Sequence, residues 1–125
     1  MSFAPGILEG KTAVVTGGAT GIGSYIARML ASLGAKVGIV SRKEENLKAA
    51  VEAFKNDDGL EVLWRVGDVR VPDLIKEVVE ELAGEMGGLD ILVCNAAGNF
   101  ICPTEELSAN GWRTVIDIDL NGTFN

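Results

Sequence analysis

The chain has 125 residues, 47% hydrophobic and 23% charged, with a net charge of −7 and no histidine. That length and balance fit one modest globular domain with its own core, leave no apolar run near the ~20 residues of a membrane span, and disfavour nucleic acid and anionic membranes as partners. Cys94 and Cys102 are too few for a disulfide framework and have no histidine to share a metal with, so two reduced thiols and no metal site are expected.

In chain order, Met1 to Gly10 carries neither a secretory nor a transit pattern. A secreted protein is therefore not expected. Thr12 to Val15 is a short β-branched run that predicts a strand. It is followed by Thr16-Gly17-Gly18-Ala19-Thr20-Gly21-Ile22-Gly23, and then by a helix with Ile22, Ile26, Met29, Leu30 and Leu33 at 3.6-residue spacing. Glycines at such a turn let a ligand approach the backbone, and the helix N-terminus behind them offers free N–H groups and partial positive charge. Strand, glycine turn and helix in that order predict a dinucleotide diphosphate site. The spacing is Gly-x-x-x-Gly-x-Gly, not the commoner Gly-x-Gly-x-x-Gly.

Lys36 to Val40 predicts a second strand, and Leu47, Ala50, Val51 and Phe54 one face of a helix ending near Asn56-Asp57-Asp58-Gly59. Leu60 to Val66 alternates as a one-sided or edge strand would. Pro72 opens a helix with the stripe Ile75, Val78, Val79 and Leu82, and Asp90 to Cys94 predicts a fourth strand with an apolar core. Ser108 can cap a last helix bearing Trp112, Val115, Ile116 and Leu120. The alternation predicts an α/β fold: a Rossmann-type, doubly wound parallel sheet in a single domain over 1–125. No repeat, low-complexity tract or linker interrupts it.

Ligands of such sheets bind at the carboxyl ends of the strands. The second strand ends at Ser41-Arg42. An acid there would repel a 2′-phosphate, whereas a guanidinium attracts one, so Arg42 favours NADP over NAD; the competing reading is a solvated arginine. Asp68, after the third strand, can accept from an adenine amino group or serve as a turn acid, and the two readings are even. Asn95 at the end of the fourth strand reads as a structural tie between strands. Asn99 reads as a turn former before a catalyst, Phe100 as packing before a substrate contact, and Ser108 as a cap that can also touch ligand. Stepping from Trp112 along the helix places Asp119 on the apolar stripe facing the interior, where a carboxylate needs a partner or a raised pKa. The competing reading is a partly exposed acid near a frayed helix end. Asp117 lies four residues after Arg113 and predicts a surface ion pair.

These residues carry a resemblance. Thr16-Gly17 through Gly23, Asp68-Val69, and Cys94-Asn95-Ala96-Ala97-Gly98 resemble the short-chain dehydrogenase/reductase family, with the Asn-Asn-Ala-Gly motif one residue looser than usual. The match runs over essentially the whole chain. Within the family, Asn95-Ala96-Ala97-Gly98-Asn99-Phe100, Cys102-Pro103-Thr104-Glu105, Leu107-Ser108 and Asp117-Ile118-Asp119 are similar to the 2,4-dienoyl-CoA reductases, the last of these to their peroxisomal branch.

That resemblance implies NADPH-dependent reduction of a dienoyl thioester to a 3-enoyl-CoA, as in unsaturated fatty acid β-oxidation, in a peroxisomal or cytoplasmic protein. It implies nucleotide contacts from Thr16 to Gly23, Ser41, Arg42, Asp68, Val69 and Asn95. It implies Asn99 near the thioester oxygen, Phe100 and Ser108 along the acyl-CoA site, Arg70 on the CoA portion, and an acid at Asp119 in catalysis, where ordinary members carry Asn. The family's Tyr-x-x-x-Lys is absent, since the only tyrosine, Tyr25, is followed four residues on by Met29. The expectation is therefore the N-terminal half of a longer, homo-oligomeric reductase, cut inside the fourth helix and inactive alone. The alternatives are a reductase of 3-oxoacyl thioesters or other carbonyls, and a non-catalytic nucleotide-binding module.

Overall fold

β1 (Thr12–Thr16) and β2 (Lys36–Ser41) pair in parallel, Thr12 opposite Lys36 and Thr16 opposite Val40, in a computed structural model that describes residues 3–125. β3 (Val62–Val66) adds to the far side of β2 and β4 (Ile91–Val93) to the free side of β1, giving the order β3-β2-β1-β4. β1 is buried along its whole length because helices cover both faces, which is why its sequence runs apolar instead of alternating. Ala13, Val15, Val37 and Ile39 pack with Ala27 of α1 (Gly21–Ser32) and with Leu47 and Phe54 of α2 (Glu44–Asp58). Val14 and Val40 point the other way, into Ile75, Val78 and Leu82 of α3 (Pro72–Met86). This is the expected doubly wound α/β arrangement. The chain steps outward from β1 to β3, then returns past β1 to β4, so the order reverses between β1 and β4 and opens a crevice at their carboxyl ends.

Several boundaries depart from the sequence reading. On α1 the buried positions are Gly23 and Ala27, with Ile26 and Leu30 beside them, while Ile22 is 75% and Met29 53% exposed. Small residues four apart let the helix lie close to the sheet, and the bulkier side chains fall on its flank. Leu60 leaves the third strand to finish α2: Gly59 turns left-handed at φ 67, its N–H donates to the Lys55 carbonyl, and the Leu60 N–H reaches the Phe54 carbonyl at 3.1 Å. β4 is shorter than expected, and Leu92 within it is half exposed on the sheet's open edge.

The opposite edge is guarded. In β3, Arg65 donates to the Trp64 carbonyl and to Glu81 and Glu85 of α3, and the Lys48 ammonium lies 5.8 Å from the Trp64 ring centroid. After β4 come α4 (Ala109–Ile116), a single π-helical turn (Asp117–Asn121) and a last helical turn (Gly122–Phe124). No helix among the described residues is long and apolar enough to cross a membrane.

Asp90 does not continue the strand. Its carboxylate accepts from the Thr12 N–H at 2.9 Å and the Thr12 hydroxyl at 3.1 Å, clipping the amino ends of β1 and β4 together. These bonds, the backbone one foremost, hold its carboxyl below the usual 3.8.

Two outcomes follow from this packing. Leu82 is fully buried under β1 and β2, so Leu82→Ala should lower unfolding stability in urea by about 2–5 kcal/mol. A depressed folded pKa gives stability that is fully present above the unfolded value of 3.8 and disappears as pH falls through the lower folded value. Asp90→Asn should therefore be less stable than the parent near neutrality, with the gap closing below that range. A gap independent of pH would mean that the Asp90 charge contributes nothing.

Candidate functional site

The site begins with a tie between strand ends. The Thr16 hydroxyl accepts from the Asn95 and Ala96 N–H groups, each at 3.1 Å, and donates to the Val93 carbonyl at 3.4 Å. The Asn95 amide donates to the carbonyls of Thr16 at 3.0 Å and Gly17 at 3.2 Å. The Gly17 N–H reaches across to the Val40 carbonyl of β2 at 2.8 Å. The glycine turn is thus fastened to both neighbouring strands before it enters α1.

Within the turn, Gly17 has φ +65, and a Cβ there would stand 2.9 Å from the Asn95 amide nitrogen. A Cβ at Gly23 would collide with the Gly17 carbonyl oxygen. Only glycine fits at both positions, so α1 starts directly against the loop. Thr20, at the N-cap, makes no side-chain bond to the helix, and the N–H groups of Gly21, Ile22 and Gly23 have no acceptor among the described residues. Free amides at a helix N-terminus, with no Cβ in the way, suit a diphosphate.

The cavity in front of this turn, about 350 Å³, is lined by Gly17, Thr20, Ile22 and Gly23 of the turn, Ser41 and Arg42 after β2, Asp68 to Arg70 after β3, and Asn95 after β4. Of the residues expected to touch nucleotide, Thr16, Gly18, Ala19 and Gly21 are not on its wall. Thr16, Gly18 and Ala19 are buried behind it, Gly18 so tightly that a Cβ would meet Ile39. Val40, Lys43, Asn46, Gly67, Ala96, Ala97 and Ile118 complete the wall and were missed. Lys43 was legible as a second cation directly after Arg42, at the N-terminus of α2. Neither Arg42 nor Lys43 has a carboxylate within ion-pair distance among the described residues.

Asp68 closes a local turn and also lines the cavity. Its Oδ1 accepts from the Arg70 N–H at 3.0 Å, and the Arg70 guanidinium forks onto both carboxylate oxygens, the shortest contact 2.7 Å. That guanidinium, with help from Arg42, holds the Asp68 carboxyl below its ordinary range. Arg70 also lines a second concavity of about 430 Å³, with Asn110, Trp112, Arg113 and Asn121.

On the other flank, Asn99 and Phe100 are exposed, and the Ser108 hydroxyl accepts from the Gly111 N–H at 2.9 Å as a helix cap. None of these three reaches the nucleotide cavity wall. Asp119 does not face the interior, and Trp112 and Leu120 of its supposed stripe are 59% and 64% exposed. A π-helical turn fits an extra residue per turn, so the 3.6-residue count from Trp112 slips beyond Ile116. Instead the Asp119 carboxylate accepts from the Gly98 N–H at 2.8 Å. The expected Arg113–Asp117 ion pair is also not formed among the described residues: Asp117 accepts from the Asn121 amide at 3.1 Å.

The short chain dehydrogenase family matches residues 11–125. The chain is 43% identical over 123 residues to a peroxisomal 2,4-dienoyl-CoA reductase, (3E)-enoyl-CoA-producing, of Arabidopsis thaliana, with 98% of this chain covered and 41% of the relative. Among solved structures, a citronellol catabolism dehydrogenase of Pseudomonas aeruginosa superposes with a TM-score of 0.87 at 38% identity, covering 98% of this chain and 49% of that one. An alcohol dehydrogenase of Thermococcus sibiricus complexed with 5-hydroxy-NADP gives a TM-score of 0.82 at 30% identity, covering 91% and 48%. The chain thus spans less than half the length of these proteins. From its glycine turn to the end of its last helical turn, the chain belongs to the short chain dehydrogenase family.

Proposed function

We propose that this chain is the nucleotide-binding part of an NADPH-dependent 2,4-dienoyl-CoA reductase acting in fatty acid β-oxidation. The observation that carries the cofactor assignment is the cavity wall itself. Ile22 and Gly23, whose N–H groups have no acceptor among the described residues, and the cations Arg42 and Lys43, which have no ion-pair partner there, line the same wall. NADPH, when bound, supplies a hydride. The chain's own residues do the rest: the amides of the glycine turn hold the diphosphate, and Arg42 attracts the 2′-phosphate through a forked contact.

The substrate assignment is supported by the name of the Arabidopsis relative and by the loop after β4. Asn99 would donate to the thioester oxygen, where charge develops during reduction, and Asp119 would supply the ionisable group beside it. Phe100 and Ser108 would line the acyl chain, and Arg70 would meet the CoA phosphates. A peroxisomal location is supported by the name of the same relative, and a homo-oligomer remains the expected assembly. The neighbours named as citronellol and alcohol dehydrogenases favour a second reading, a carbonyl reductase. Turnover of 3-oxoacyl thioesters or simple ketones, with none of a dienoyl-CoA, would select it.

Calorimetry on the full-length protein tests the cofactor. Arg42→Asp should weaken NADPH at least about tenfold, from a lost charge-assisted contact and an added repulsion, while NADH changes little. Equal losses for both nucleotides would remove Arg42 as the phosphate ligand, and no uptake of NADPH by the parent would end the reductase reading.

A further inference from the structure

The loop from Ala96 to Phe100 is held by very little. The Ala96 N–H is bound to the Thr16 hydroxyl and the Gly98 N–H to the Asp119 carboxylate, while the N–H groups of Ala97 and Asn99 have no acceptor among the described residues. Between the end of β4 and Phe100, Asp119 is thus the one anchor supplied from the helical side.

The π-helical turn makes this possible. It turns Ile118 into the nucleotide cavity wall and Asp119, the next residue, onto the loop. The turn is itself braced: the Thr123 hydroxyl donates to the Asp119 carbonyl at 2.9 Å, and the Asn125 amide to the Val69 carbonyl at 2.9 Å. A Cβ at Gly98 would stand 2.8 Å from the Ile118 Cδ1, so a larger residue there would push the end of that side chain aside. With glycine, the loop backbone comes close enough for the 2.8 Å bond.

We propose that Asp119 is a positioning residue: through the Gly98 N–H it sets the loop that carries Asn99 and Phe100 against the nucleotide cavity. This deepens the dienoyl-CoA reading and rests on it for its kinetic consequence. The role needs an acceptor oxygen and no charge. An amide side chain can therefore fill it, although it cannot replace an ionised group.

The contact and its consequence are measured separately in the full-length reductase of which this chain is the nucleotide-binding part. By amide hydrogen exchange, Gly98 should be protected about tenfold over Ala97 and Asn99 in the unaltered protein. Equal rates at the three amides would overturn the contact without any variant. Asp119→Ala should abolish that protection and raise the KM for a dienoyl-CoA about tenfold, with NADPH binding unchanged; Asp119→Asn should keep both within about twofold. Asp119→Asn should still lower kcat if the charge acts in the reaction, so the two roles separate as KM against kcat. A KM equal in the Ala variant and the parent, or raised equally by Asn and Ala, would overturn positioning. If the parent turns over no dienoyl-CoA, the substrate reading fails while the exchange pattern still decides the contact.

Discussion

The contact on which the site depends is the knot between Thr16 and Asn95. A parallel sheet has no hairpin to align neighbouring strand ends, so side chains must set where β1 stops relative to β4. The Thr16 hydroxyl uses its proton on the Val93 carbonyl and its lone pairs on two N–H groups after β4, which exhausts its hydrogen-bonding capacity. Asn95 returns both amide hydrogens to carbonyls on the β1 side. With the strand ends locked, the Gly17 carbonyl has one position, and that position is what excludes a Cβ at Gly23. The glycine pattern is thus a consequence of the knot as much as of any ligand. Asp90 repeats the device at the amino ends of the same two strands, so the switch between them is fixed from both sides.

The parts of the fold that were legible are those governed by local chemistry. The β1 run, the turn and α1 follow in sequence order, and Gly59 ends α2 as a left-handed cap. The apolar stripe of α3 reads directly onto Ile75, Val78 and Leu82. What was misread depended on residues far away in sequence. The packing phase of α1 is set by how closely Gly23 approaches Gly17, so its small residues face inward and Ile22 and Met29 do not. The knot on Thr16 and the clip on Thr12 each join residues more than seventy positions apart, and no periodicity signals them.

The last helix shows the same limit in another form. Its cap at Ser108 was legible, because capping is local and the Gly111 N–H lies three residues on. Its second half was not, because a π-turn leaves no pattern in the side chains that form it. An exposed acid bonded to a loop N–H and an interior acid seeking a partner look alike in sequence. The geometry separates them, and it turns attention from the charge of Asp119 to its acceptor oxygen.

Charge connects the whole chain to its cavity. At a net charge of −7 the protein repels polyanions, yet the nucleotide cavity wall carries Arg42, Lys43 and Arg70 against Asp68 alone. Screening at physiological salt reaches about 8 Å, so a small anion inside the cavity responds to those side chains and hardly to acids on distant helices. Arg70 is already forked onto Asp68, which leaves the local excess to Arg42 and Lys43. The attraction is therefore concentrated around Arg42 and Lys43, while the glycine turn offers only neutral amides. A ligand with one extra phosphate beside the cations gains from them, and one without it gains from the amides alone. On the proposed reading, nucleotide choice resides in two adjacent residues just before α2, apart from the glycine turn.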